Sequence, residues 1–471
     1  MSLRLLVLLL LSLLLMACAG QRSQPRPDQI ISPPLSFAVP RVEERLLDNG
    51  MRLYLNPDHE LPLVKISLLI GAGSIGEPAT KSGLVQLYAA ALRSGGAGQR
   101  TPADFDDKLE SLAADLGVSS GTYAVSCGLS LHRDDLESGV AVLADLLRRP
   151  RFDEQRVELA RRQMLESIRR QNDEPGAIAQ RQLRRALYGD HPLGRTPTLD
   201  SVQAIDRQDL LDFHRRYVLP NNLWLAVSGD FDPAEMEKLL DRLFGDWPLQ
   251  PFELQEIPPL TAPLEPVVLA LPKEVPQTTV LLGQRGITKE HPDLYALRVM
   301  NFILGGGGFN SRLMREVRSN RGLAYSVYSF FQAGRRLPGL FVAGCETRTA
   351  TVDEVVELMR AEMRRISEEP VSDEELEIAR ESLINSFVFA FEDPHEVVSQ
   401  AMRLNFYGYA EDYLQRYRDR LAAVTADEVL DAARRHLQWD RQTIVLVGEQ
   451  MGQKQPAERF GLPVAGLIDE D

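Results

Sequence analysis

The sequence predicts an α+β protein made of two copies of one unit, and three observations carry that expectation. Its 471 residues are enough for two domains of ordinary size. Two proline-dense stretches divide it: five prolines between Pro25 and Pro40, and six between Trp247 and Pro266. The segments flanking the second stretch also repeat. "LDSVQAIDRQDLLDFHRRYVLPNNLWLAVSG", ending at Gly229, aligns without a gap with "RDRLAAVTADEVLDAARRHLQWDRQTIVLVG", ending at Gly448. Asp200/Asp419, Arg216/Arg435, Leu225/Ile444 and Gly229/Gly448 all fall at one constant offset, and "VELARRQML" and "LEIARESLI" align at the same one. Each copy reads as strands, a helix, more strands, two or three helices and a final strand. That grouping favours layered α+β over a doubly wound sheet. Two such units joined by a proline linker are expected to face one another across a cleft.

The elements follow in chain order. Residues 1–17 carry one charge, Arg4, and then an apolar run that is too short to span a bilayer and of signal-peptide length. The run ends in Leu15-Met16-Ala17-Cys18, the pattern of a lipoprotein signal with Cys18 as the lipidated first residue. Ala19 follows, the sorting pattern of an outer-membrane destination, so the expected location is periplasmic and lipid-anchored. Residues 18–40 read as an extended tether. The N-terminal domain is expected at 41–247, the linker at 248–266, the C-terminal domain at 267–455 and a tail at 456–471.

Composition excludes some classes of function. Apolar residues make up 44% of the chain and charged residues 25%, as in globular proteins, and the net charge is −14. A nucleic-acid binder would show a basic footprint, so no such partner is expected. Besides Cys18, Cys127 and Cys345 lie in strand-like runs and read as buried thiols. The seven histidines, His59, His132, His191, His214, His291, His395 and His436, are too scattered for a pair on one helix turn, and each reads as structural or solvent-facing. No G-x-S-x-G elbow is present.

Two glycine motifs invite a cofactor reading. Gly71-Ala72-Gly73-Ser74-Ile75-Gly76 matches G-x-G-x-x-G after a strand, but Pro78 follows and the next helix opens too late for a dinucleotide fold. "LGGGGFNSRL", with Gly305, Gly306, Gly307 and Gly308, lacks the ending of a phosphate loop and reads as a flexible connection. The helix between them, "TKSGLVQLYAAALRSGG", has Ser82 as expected N-cap and Gly95-Gly96 as its stop. Leu84, Leu87, Tyr88, Ala91 and Leu92 form its apolar stripe. Gln86, Ala89, Ala90 and Arg93 lie opposite.

From "GAGSIGEPATKSGLVQLYAAALRSGG", "LESIRRQNDEP" and "REVRSNRGLAYSVYS" the chain resembles the M16 peptidases, which include pitrilysin, insulysin and the mitochondrial processing peptidase. The resemblance runs from about residue 41 to 450 and implies two lobes of this family's type, each a mainly antiparallel sheet packed with helices. Active members carry H-x-x-E-H on the first helix. Here those histidine positions fall on Gln86 and Ala90, the glutamate on Ala89, and the third zinc ligand on Ser167. The resemblance therefore implies no metal in this chain. Arg318 and Tyr325, seven positions apart, match the pair that active members use against the substrate carbonyl, and Gly305–Gly308 resemble a substrate-recognition loop of a non-catalytic subunit.

Those matches imply a partner subunit that pairs with an H-x-x-E-H chain, the partner holding zinc and the pair acting on unfolded peptides in the cell envelope. A catalytically inactive scaffold or peptide-binding protein is the alternative. An autonomous peptidase would need a metal site this sequence does not supply.

Overall fold

The computed structural model describes residues 40, 42–261 and 265–449, and the backbone of 464–465. The signal, Cys18, nearly all of the 18–40 tether and most of the tail lie outside the described residues. Val39–Asp471 form a single unit holding both lobes. Among the described residues no helix is long and apolar enough to cross a membrane.

Lobe 1 contains β1 (Glu43–Leu46), β2 (Arg52–Pro57), β3 (Leu63–Ile70), α1 (Leu84–Ser94), α2 (Pro102–Ser111), β4 (Asp115–Ser120), β5 (Val125–His132), α3 (Leu136–Arg148), α4 (Glu154–Arg169), α5 (Pro175–Tyr188), α6 (Leu199–Gln203), α7 (Arg207–Tyr217), β6 (Leu223–Gly229) and α8 (Pro233–Phe244). Lobe 2 contains β7 (Val268–Pro272), β8 (Thr278–Arg285), α9 (Leu294–Asn301), β9 (Ala324–Gln332), β10 (Leu340–Thr347), α10 (Val352–Glu368), α11 (Asp373–Phe389), α12 (Pro394–Phe406), α13 (Tyr413–Ala422), α14 (Ala426–His436), β11 (Thr443–Gly448) and β12 (Val464–Ala465).

The duplication read from sequence is a duplication of topology. One sheet runs β1-β2-β6-β3-β5-β4 and the other β12-β7-β11-β8-β10-β9. In each, the strand that closes the repeat, β6 or β11, enters the middle, parallel to one neighbour and antiparallel to the other. Leu225 pairs with Leu53 as Ile444 pairs with Val268, so the repeat keeps its register. Helices outnumber the two or three expected before the closing strand, and α8 follows β6 unannounced. The outermost position differs as well. Lobe 1 fills it with its own first strand, whereas lobe 2 uses Val464–Ala465, inside the span read as a tail.

Each sheet buries one face on its own helices and the other on a helix from the opposite lobe. Ile178, Leu183 and Leu187 of α5 pack on Leu271, Leu281, Val445 and Val447 of lobe 2. Val398, Met402 and Phe406 of α12 pack on Tyr54, Leu69, Trp224 and Ala226 of lobe 1. Both helices open with proline at N1, the position that needs no N–H partner. Beside α12 the seam opens into a cavity of about 570 Å³ lined by residues including Ser67, Gly128, His395 and Tyr407. His395 is fixed there, 2.8 Å from Ser67 Oγ and 2.9 Å from Ser228 Oγ. Cys127 and Cys345 are buried free thiols, each pushed up to about 12 by burial.

Candidate functional site

The stretch Gly71–Gly96 builds the first candidate surface. Gly73 donates its N–H to Gln255 Oε1 at 2.8 Å and its carbonyl accepts from Gln255 Nε2 at 2.9 Å, so the inter-lobe linker occupies the face a dinucleotide would need. The helix starts differently from expectation. Ser82 is not the cap. Gly83 is, at φ +97°, a conformation glycine adopts freely, and it makes no side-chain cap. Glu77 reaches across to do that work, accepting from Gly83 N–H at 2.9 Å and Val85 N–H at 2.7 Å. Burial raises the Glu77 carboxyl above its ordinary range despite these two donors. Glu77→Ala is expected to cost about 1–3 kcal/mol, read from the urea midpoint, because it strips two buried N–H groups of a charged acceptor.

The apolar stripe of α1 is buried as expected, and Gly95 caps its end. On the opposite face Gln86 and Ala90 are exposed, but Ala89, expected beside them, is only 3% exposed and belongs to the interior. Ser167 is exposed on α4, which packs against α1. The structure thus brings two of the three α1 positions, Gln86 and Ala90, and Ser167 to solvent on adjoining helices. Zinc takes imidazole, carboxylate or thiolate. This surface offers a neutral amide, a hydroxyl and one methyl group, from Gln86, Ser167 and Ala90. The nearby Glu166 is held by Arg170 at 2.8 Å and Arg169 at 3.5 Å. The residues present do not fit the metal.

Lobe 2 carries the second surface. After α9 the chain continues as a π-helical turn, Phe302–Gly306, closed by Gly307 N–H to the Phe302 carbonyl at 2.8 Å. The glycine run is therefore not the open loop expected. Gly305 is buried against β9, where a Cβ would lie 2.5 Å from Ser329 N. Gly306 and Gly308 are exposed and Gly307 lies between them, half-buried, before the short turn Gly308–Asn310. A second π-helical stretch, Met314–Asn320, carries Arg318. Such turns cost hydrogen-bond geometry and concentrate at functional sites.

Arg318 and Tyr325 meet. The guanidinium lies 4.5 Å from the Tyr325 ring centroid and 4.7 Å from that of Phe309, so it is clamped between two aromatics. Tyr325 is 81% exposed and Phe309 69% exposed, and among the described residues neither the guanidinium nor the phenol has a hydrogen-bond or ion-pair partner. Stacking fixes the plane of the guanidinium while leaving its N–H groups free. Tyr325 lies on β9, the outermost strand of its sheet. Phe309 was not singled out from sequence, although its place directly after the glycine run was the available signal.

A buried ion pair anchors this surface. Arg312 donates to Glu375 at 2.8 and 2.7 Å, and Glu375 also closes the capping box of α11 with Ser372. The Arg312 hydrogen bonds hold the Glu375 carboxyl down, from 4.5 to about 2. The folded value lies below the unfolded one, so this contribution to stability is complete above pH 4.5 and is lost as pH falls toward 2. Acid titration of the melting temperature is expected to show that loss, and Glu375→Gln to remove it.

The histidines are largely structural, as expected. His214, for example, is buried with Tyr88 Oη at 2.8 Å of Nδ1 and the Leu147 carbonyl at 3.1 Å of Nε2, and burial lowers it to about 4. His291 and His436 depart from the expectation of isolated rings, packing edge-to-face at 4.7 Å.

Residues 53–199 match the family described as Insulinase (Peptidase family M16), and residues 204–383 match the Peptidase M16 inactive domain. The chain belongs to the peptidase M16 family. It is 30% identical over 376 residues to an uncharacterised zinc protease of Mycobacterium leprae, covering 77% of this chain and 82% of that one. A Helicobacter pylori protein named non-peptidase homolog YmxG is 25% identical over 84% of this chain and 91% of its own. The crystal structure of a peptidase M16 inactive domain from Pseudomonas fluorescens superimposes with a TM-score of 0.79 at 27% identity, over 88% of this chain and all but 1% of that one (99% covered).

Proposed function

We propose that this chain is the metal-free partner subunit of a two-chain M16 zinc peptidase. The carrying observation is the Arg318–Tyr325 pair, the phenol exposed on an edge strand with the guanidinium against its ring, in a chain whose own helix α1 has the wrong donors for zinc. A stacked guanidinium and a phenol are donors suited to a carbonyl oxygen that gains negative charge. An extended peptide running along the edge strand β9 would place a carbonyl within reach of the two donors. The partner, an M16 chain bearing H-x-x-E-H, supplies zinc and the general base. Substrates are unfolded peptides of the cell envelope, and Cys18 carries the lipid that tethers the complex to the outer membrane. The exposed part of the run Gly305–Gly308 and Phe309 form a rim that contacts the same peptide.

Reconstitution tests this reading. This chain and an H-x-x-E-H subunit from the same cell, purified separately, are expected to cleave an unfolded peptide together and not singly. Cleavage by the zinc-bearing subunit alone at the rate of the mixture would overturn it. Replacement of Cys18 by serine is expected to move the protein from the membrane fraction to the soluble one. The second reading, a peptide-binding or scaffold protein without catalysis, draws on the name non-peptidase homolog carried by one relative. It is favoured if the chain assembles with no peptidase.

A further inference from the structure

The fold of lobe 2 brings His436 to two ligand-type side chains, His291 and Asp293, that lie 143 residues or more before it. His291 stands just before α9, Asp293 is the residue that precedes its first turn, and His436 is the last residue of α14. One donor atom from each lies within 4.8 Å of the other two. His436 Nε2 is 2.7 Å from Asp293 Oδ2, and His291 Nδ1 is 3.9 Å from the same oxygen. We infer that His291, Asp293 and His436 form a binding site for one divalent transition-metal ion of the zinc class, in lobe 2 and distinct from the lobe 1 surface on α1.

The chemistry fits. Two imidazoles and one carboxylate are the donor set that borderline cations such as Zn²⁺ prefer over Mg²⁺ or Ca²⁺. Metal–ligand bonds of roughly 2.0–2.2 Å put neighbouring donors roughly 3–3.4 Å apart, between the two separations observed. Only small side-chain rotations are needed. The lone pairs can also be accounted for. Arg435 Nε donates to Asp293 Oδ2 at 3.0 Å and Arg435 Nη2 to Oδ1 at 3.0 Å, fixing the carboxylate from outside. The second lone pair of Oδ2 now faces His436 Nε2. An ion takes the place of the proton between those two atoms, and in neutral His436 that proton moves to Nδ1. The backbone N–H of Asp293, 3.1 Å from His291 Nδ1, is the one contact that must yield.

Accessibility and ionisation agree with this. The Asp293 and His436 side chains are 15% and 18% exposed and that of His291 is 34% exposed, which leaves one side open for entry and for a water ligand. Burial holds His436 below the ordinary histidine value. Burial opposes ionisation of Asp293, but Arg435 and His436 outweigh it and keep its carboxyl low. The ion would tie the start of α9 to the end of α14, and α9 leads directly into the π-helical turn and the glycine run.

Untagged full-length protein, stripped with a chelator, would be titrated with Zn²⁺ alone by calorimetry, with Co²⁺ absorption as a report on donor type. One ion per chain and a higher melting temperature are expected. His291→Ala and His436→Gln should each weaken binding by about 100-fold or more. Asp293 is left in place because it also holds Arg435, and His436→Gln keeps a hydrogen-bond donor to Asp293, so the metal-free fold is checked by circular dichroism in both variants. No zinc binding by the stripped protein, or binding unchanged in both variants, would overturn the assignment. The measurement does not use peptide cleavage, so its failure would leave the partner-subunit reading standing.

Discussion

Tyr325→Phe is expected to lower kcat/KM for peptide cleavage by the assembled pair about 10²-fold, the loss of one donor to a developing oxyanion. The phenol ring is what stacks on Arg318, and phenylalanine keeps the ring, so the guanidinium stays clamped between positions 309 and 325. The hydroxyl is solvent-facing on a side chain 81% exposed, and its removal should shift stability by no more than about 0.5 kcal/mol. Activity and folding are thus separable in this variant. Arg318→Lys should not rescue the function of Arg318, because an ammonium has neither the planar face for two aromatics nor a fork of fixed N–H groups. Unchanged turnover in Tyr325→Phe would remove the catalytic role from lobe 2.

The second large effect lies in the exchange of helices between lobes. Leu183 of α5 sits in the core of lobe 2, and Met402 of α12 sits in the core of lobe 1. Each is nearly or fully buried, and each variant, Leu183→Ala or Met402→Ala, is expected to cost about 2–5 kcal/mol. The geometry makes a stronger claim than the magnitude. Each lobe covers one face of its sheet with its own helices and needs a helix from the other lobe to cover the second face. Urea unfolding followed by two probes, one in each lobe, should give coincident transitions in the native protein and in both variants. A variant that melts one lobe while the other stays folded would contradict the reciprocal packing.

The duplication and the apolar face of α1 were legible because they rest on periodicity and on long ungapped repetition. Local chemistry set by distant contacts was not. Ser82 had the composition of an N-cap, but Glu77 reaches back across the turn and takes the N–H groups, leaving glycine at the cap. Ala89 was placed with Gln86 and Ala90 by helical spacing, yet the packing around α1 extends far enough to bury it. The glycine run looked like an open connection because four glycines carry no side-chain signal. The contact that orders it is the backbone of Ser329 on β9. Arg318 and Tyr325 could be found by resemblance. Their stacking, and the part Phe309 takes in it, required the π-helical turn that no residue pattern announces. The approach of His291 to His436 depends on how α9 and α14 pack, which sequence separation conceals.

The central claim is that this chain works with a zinc-bearing relative, and affinity capture tests it most directly. The protein, tagged at its C-terminus, would be recovered from gently solubilised native membranes and its companions identified and quantified by mass spectrometry. A second M16 chain bearing H-x-x-E-H is expected in one-to-one ratio. Recovery of this chain alone, or with unrelated envelope proteins and no M16 partner, would contradict it.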